Sequence, residues 1–184
     1  MSLPTTGYTR TAIALHWLIA LLIFSLIPLG IYIADLHFSP SRLKLYSYHK
    51  WLGVTVFLLA MARIAWRIKH PAPPPAGLPA WQRIASAATH HLLYLLILAV
   101  PISGWLMSSA KGFQTVYLGI IPLPDLLTKD KATGDALLLV HQILNFTLGA
   151  LVITHLTAAL KHYFIDRDEV LGRMITLLNR KQAR

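Results

Sequence analysis

The sequence predicts an all-α protein: a four-helix bundle that crosses a membrane, followed by a short C-terminal helix lying in the interface. Three observations predict it. The 184-residue chain is 55% hydrophobic and 13% charged, about half the charged share of an ordinary soluble domain. Four blocks, 11–34, 51–62, 84–110 and 136–160, contain no Asp, Glu, Lys or Arg. The charges lie in the gaps between these blocks, so the net charge of +10 flanks a membrane rather than forming a face for nucleic acid, which is not expected as a partner.

A bilayer core about 30 Å thick needs roughly 20 apolar residues of helix, which places spans near 11–33, 46–68, 84–107 and 135–160 in one integral membrane domain covering 1–184. The first run is too long for a signal-peptide core, and no small-x-small cleavage site follows it, so it reads as a retained span. The second contains Lys50, Arg63 and Arg67, all near its ends, where long basic side chains snorkel to the headgroups. Pro71, Pro73, Pro74, Pro75 and Pro79 then make a stiff connector to the third span. The loop 109–133 is partly apolar and is expected to lie on the membrane as a cap. After the fourth span, Asp168 and Glu169 open a segment in which Val170, Leu171, Met174, Ile175, Leu177 and Leu178 lie among basic residues. That is the pattern of an interfacial helix with its acidic end first. No internal repeat is obvious.

Basic residues set the direction. Arg10, Arg63, Arg67, Lys69, Arg83, Lys161, Arg167, Arg173, Arg180, Lys181 and Arg184 fall on one side, and Arg42, Lys44, Lys50, Lys111, Lys129 and Lys131 on the other. Eleven against six puts both termini in the cytoplasm.

Ionisable side chains inside a span are costly and point to function, and here they are histidines. His141 and His155 lie 14 residues apart on the fourth span, about 21 Å along the helix and only about 40° around it. One helix therefore presents two imidazoles to the bundle interior, one near each membrane face. His49 shares the outer depth with His141, and His16 the inner depth with His155. Imidazole is a good ligand for haem iron, and bundle interiors hold cofactors. Two b-type haems, each held by two histidines, follow from this placement. The chain has no cysteine, so their attachment is non-covalent. Gly53 lies one turn from His49 on the same face and Gly149 between the two histidines of span four. Neither side chain would obstruct a porphyrin.

His90 and His91, at the inner end of span three, compete with His155 for the inner iron. His155 is preferred because it shares a stripe with His141, which leaves His90 as a pocket residue. Arg63 and Arg67 follow His49 by 14 and 18 residues and face the inner haem's propionates or a quinone headgroup, unless they are simple membrane anchors. His162, two turns beyond His155, is a candidate proton-handling group at an inner quinone pocket. His37 and His70 lie in or beside loops and carry no expected role.

The segments Ala14-Leu15-His16-Trp17-Leu18, His49-Lys50-Trp51-Leu52-Gly53, Arg63-Ile64-Ala65-Trp66-Arg67 with Pro71-Ala72-Pro73-Pro74, His90-His91-Leu92-Leu93-Tyr94, His141, and His155 through His162-Tyr163-Phe164 together resemble the bacterial cytochrome b561 family over nearly the whole chain. The resemblance implies an inner-membrane protein with two b-type haems on the residues matching His16, His49, His141 and His155. Within the family it looks most like the superoxide oxidases, which pass electrons from superoxide outside the membrane to ubiquinone. The outer side carries the six basic residues named above against Asp35, Asp125, Asp130 and Asp135. Lys44, Lys50 and Lys111 are the candidates for guiding the anion. The expected partners are superoxide, ubiquinone and membrane lipid. The alternative is an electron-carrier subunit serving a redox partner protein, a membrane dehydrogenase or hydrogenase.

Overall fold

The computed structural model describes residues 7–73 and 77–175. It contains four long helices, α1 (Arg10–Asp35), α2 (Pro40–Lys69), α3 (Ala80–Ala110) and α4 (Lys131–Lys161). All four are long and apolar enough to cross a membrane. Each extends beyond its expected span, and in α1, α2 and α4 a polar cap outside the apolar run sets the start. Thr9 Oγ1 accepts from Ala12 N at 3.2 Å, Ser39 Oγ from Arg42 N at 3.2 Å, and Asp130 Oδ2 from Thr133 N at 2.7 Å, each satisfying a first-turn N–H that the helix itself leaves unpaired. Pro40 follows Ser39 at the first helical position, where its missing N–H costs nothing.

The tight helix pairs are α1–α2, α2–α3 and α3–α4. The bundle is thus two helical hairpins side by side. The connections at one end, 36–39 and 111–130, define a loop face, and the opposite end is the terminal face. At mid-depth Ile19 and Ile23 of α1 meet Leu96 of α3 and Leu148 of α4. Leu21, Phe24, Leu95, Phe146 and Ile153 point outward and are exposed, as a lipid-facing surface requires.

The connection between α3 and α4 contains structure that the sequence pattern did not indicate, a two-stranded antiparallel hairpin pairing Val116 with Pro122 and Tyr117 with Ile121. Leu118 (φ 54°) and Gly119 (φ 74°), in the left-handed region, turn it within the three-residue connection 118–120. Trp51 Nε1 donates to Val116 O at 2.6 Å, Lys50 Nζ to Phe113 O at 2.8 Å, and Thr55 Oγ1 lies 3.0 Å from the Tyr117 hydroxyl. The cap is therefore fastened along α2.

Beyond Lys161 the chain widens into a π-helical turn, His162–Asp166, and stops at Arg167, whose φ of 54° is left-handed. The described part of the expected interfacial helix is a succession of turns, with Arg173 N donating to Glu169 O and Ile175 N to Leu171 O. Trp17 Nε1 ties this segment to α1 through Met174 O at 3.0 Å. Leu177, Leu178, Arg180, Lys181 and Arg184, like Pro74 and Pro75 of the linker, lie outside the described residues.

Candidate cofactor site

The fold brings the four interior histidines together in two pairs. Near the loop face the rings of His49 and His141 have centroids 6.4 Å apart and planes 83° apart. Near the terminal face His16 and His155 have centroids 6.3 Å apart and planes 73° apart. An imidazole nitrogen binds a first-row metal at about 2.0–2.1 Å. With the ring centroid about 1.2 Å behind that nitrogen, two axial imidazoles on one metal stand about 6.4 Å apart. Both pairs meet that spacing, so the residues fit a bis-histidine haem at each level.

The loop-face pair is seated on glycines. A Cβ on Gly30 of α1 would fall 3.1 Å from His49 Cε1, and one on Gly104 of α3 would fall 3.0 Å from His141 Cε1. His141 Nδ1 lies 3.1 Å from Val100 O and 2.9 Å from Ser103 Oγ. A carbonyl can only accept, so Nδ1 carries the hydrogen and Nε2 keeps its lone pair for a metal. His49 Nδ1 is buried without a hydrogen-bond partner. No heavy atom lies within 4 Å of a Cβ placed on Gly53, and Gly149 meets only Ile27 Cδ1 at 3.9 Å, so both leave the interior unobstructed. Gly30, Gly104 and Ser103 were missed from sequence. A glycine within an apolar span is a signal of close approach, but it does not say to what.

At the terminal face His90 also approaches His155, with centroids 5.3 Å apart, about 1 Å closer than a shared metal requires. Its Nδ1 lies 2.7 Å from Ser86 O, and His91 Nδ1 makes the equivalent 2.7 Å contact with Ala87 O. Arg63 Nε donates to the Tyr94 hydroxyl at 3.1 Å, and the Arg67 guanidinium stacks 5.6 Å over the Tyr8 ring. Both arginines line a small terminal-face pocket with Tyr8, Trp66, Tyr94 and Met174. His162 is held elsewhere, its Nδ1 2.6 Å from Asp168 Oδ2 and 3.3 Å from Asp166 Oδ2, while Lys161 Nζ sits 2.6 Å from Asp166. The left-handed Arg167 turns Asp168 back onto His162, a pairing no sequence spacing foretold.

The three loop-face lysines engage different partners. Lys111 pairs with Asp135 at 3.1 Å, Lys50 with the Phe113 carbonyl, and Lys44 lies 5.9 Å over the Tyr48 ring.

The family model for prokaryotic cytochrome b561 matches residues 7–177. The chain belongs to the prokaryotic cytochrome b561 family. Among relatives, it is 33% identical over 172 residues to cytochrome b561 homolog 2 of Escherichia coli (strain K12), covering 91% of this chain and 90% of that protein. It is 28% identical over 179 residues to a protein of Yersinia pestis named as a probable superoxide oxidase (91% and 95% covered). The figure is the same for cytochrome b561 homolog 1 of E. coli (91% and 96% covered). As a cytochrome b561, this protein is a membrane electron-transfer protein that binds b-type haem.

Proposed function

We propose that this cytochrome b561 is a superoxide:ubiquinone oxidoreductase of the bacterial inner membrane, holding one non-covalent haem b between His49 and His141 and a second between His16 and His155. The observation that carries the reading is the pair of ring spacings, 6.4 and 6.3 Å, at opposite ends of one stripe of α4. Two histidines per iron leave no open position, so a bound haem supplies outer-sphere one-electron transfer rather than oxygen activation. The excess of basic residues at the terminal face supports cytoplasmic termini and a periplasmic loop face.

In this reading Lys44, Lys50 and Lys111 give the loop face the positive charge that draws superoxide in. Gly53 keeps the volume beside His49 clear, and the Ile19, Ile23, Leu96 and Leu148 cluster excludes water between the two levels. Arg63, Arg67 and His90 form the surface that receives the quinone headgroup, while His162, held by Asp168 and Asp166 outside that pocket, takes no part in it. Two superoxide anions give up one electron each and leave as dioxygen. Ubiquinone takes up both electrons with two protons and leaves as ubiquinol. The relative named as a probable superoxide oxidase supports this choice of substrate.

The test is the visible spectrum of the oxidised protein under a superoxide flux. Rapid appearance of reduced b-haem bands, slowed by added salt, is the expected result. Bands that appear only with a strong chemical reductant would overturn the superoxide activity and move the function to a carrier subunit of a membrane dehydrogenase or hydrogenase. Replacing His141 by Ala should remove one haem and leave the other, and retention of both would refute that ligand.

A further inference from the structure

Two buried side-chain nitrogens without a hydrogen-bond partner stand out among the described residues, His49 Nδ1 and Arg42 Nε. They belong to one stripe of α2. Seven residues separate them, which is about 10.5 Å of rise and only about 20° around the helix. Arg42 also has no acidic partner among the described residues. It makes a backbone bond to Ser39 and lies 5.6 Å over the Tyr46 ring. Arg63 at the opposite face differs, since its side chain is bonded to Tyr94 and Ala12.

A buried N–H without an acceptor is costly, and on a charged guanidinium the acceptor that gains most is an anion. The position says which anion. Side chains on a helix tilt toward its N-terminus, and the N-terminus of α2 is at the loop face. Arg42 therefore lies about 10.5 Å from the His49 level on the loop-face side, at the aqueous boundary, where the carboxylates of an amphiphilic cofactor belong. Its planar fork suits a carboxylate held in two-point contact. We propose that Arg42 anchors a propionate of the haem held by His49 and His141. This rests on the two-haem reading above and extends it to a residue outside the set that reading uses.

Reduction adds negative charge at the iron, so a cation fixed beside it raises the midpoint potential, and its loss lowers it. The experiment is potentiometric titration of the purified holoprotein in nanodiscs, comparing wild type with Arg42→Gln and Arg42→Lys. The Arg42→Gln variant is expected to show about a tenfold lower reduced-to-oxidised ratio for the loop-face haem at fixed potential, equivalent to about 59 mV for one electron, with the terminal-face haem unchanged. Selective loss of the loop-face haem supports the proposal equally. Arg42→Lys keeps the charge and should shift far less, while redox-difference infrared spectra with carboxyl-labelled haem should show an altered propionate band. Arg42→Gln retaining both haems at wild-type potentials overturns the proposal, as does an unaltered propionate band in Arg42→Lys should the glutamine variant not be recovered. A His141→Ala protein identifies the loop-face signal, and if it retains both haems the two-haem assignment fails instead.

Discussion

Gly104 lies so close beneath His141 that a Cβ at this position would come within 3.0 Å of the imidazole Cε1. The ring has no side on which to give way cheaply, because Nδ1 is tied to Val100 and Ser103. Gly104→Ala should therefore displace the imidazole at an overpacking cost of about 1–3 kcal/mol. The expected readout is loss of roughly half the b-haem absorbance per chain, with the four helices intact by circular dichroism. Full haem content would show that the ring shifts freely.

Ser103 is buried, donates its hydroxyl hydrogen to Val100 O at 2.7 Å and accepts from His141 Nδ1. Groups that orient a metal-binding imidazole typically change metal affinity about 10–100-fold when removed. Ser103→Ala should weaken haem retention during detergent washing by a factor in that range, and Ser103→Thr should keep the hydroxyl and much of the retention. Equal haem loss rates for all three proteins would remove Ser103 from the site.

His90 approaches His155 at 5.3 Å, against 6.3 Å for His16 and His155, and only the second matches the spacing of two imidazoles on one metal. His90→Leu is expected to retain both haems, whereas His155→Leu should lose the terminal-face haem. Haem loss in the first variant with retention in the second would exchange the two assignments.

Asp130 caps α4, and the backbone and side-chain hydrogen bonds from Thr133 hold its carboxyl below the usual carboxylate range. A depressed folded-state pKa contributes stability above the unfolded value, near pH 4, and that contribution is lost as pH falls through the lower folded value. Thermal stability should therefore drop on acidification below about pH 4. Asp130→Asn keeps a capping oxygen without a titrating group, so the difference between the two melting curves should close at low pH. A pH-independent difference would assign the stabilisation to something other than the charge.

The four spans were legible because charge-free blocks of that length have few alternatives in water or lipid. That histidines meet at two levels was legible from the 14 residues between His141 and His155 together with the depths of His49 and His16 on their own spans. Helix ends were less so. Ser39, Pro40 and Asp130 start α2 and α4 in polar sequence that hydropathy discards, yet capping chemistry marks them. The hairpin at Val116–Pro122 was hidden because strands of two residues show no alternation. The glycine seats depend on the register between helices, which no single span encodes, and the His162–Asp168 contact depends on one left-handed residue, Arg167.

The glycine seat occurs twice in nearly the same form. A Cβ on Gly30 would fall 3.1 Å from His49 across the first hairpin, and one on Gly104 3.0 Å from His141 across the second, with a proline inside each seating helix, Pro28 and Pro101. Each hairpin brings one seat and one imidazole to the same level. Neither hairpin alone holds both rings of the loop-face pair, so that level exists only once the two hairpins have docked in register, and a shift of either one by a fraction of a turn would separate the rings.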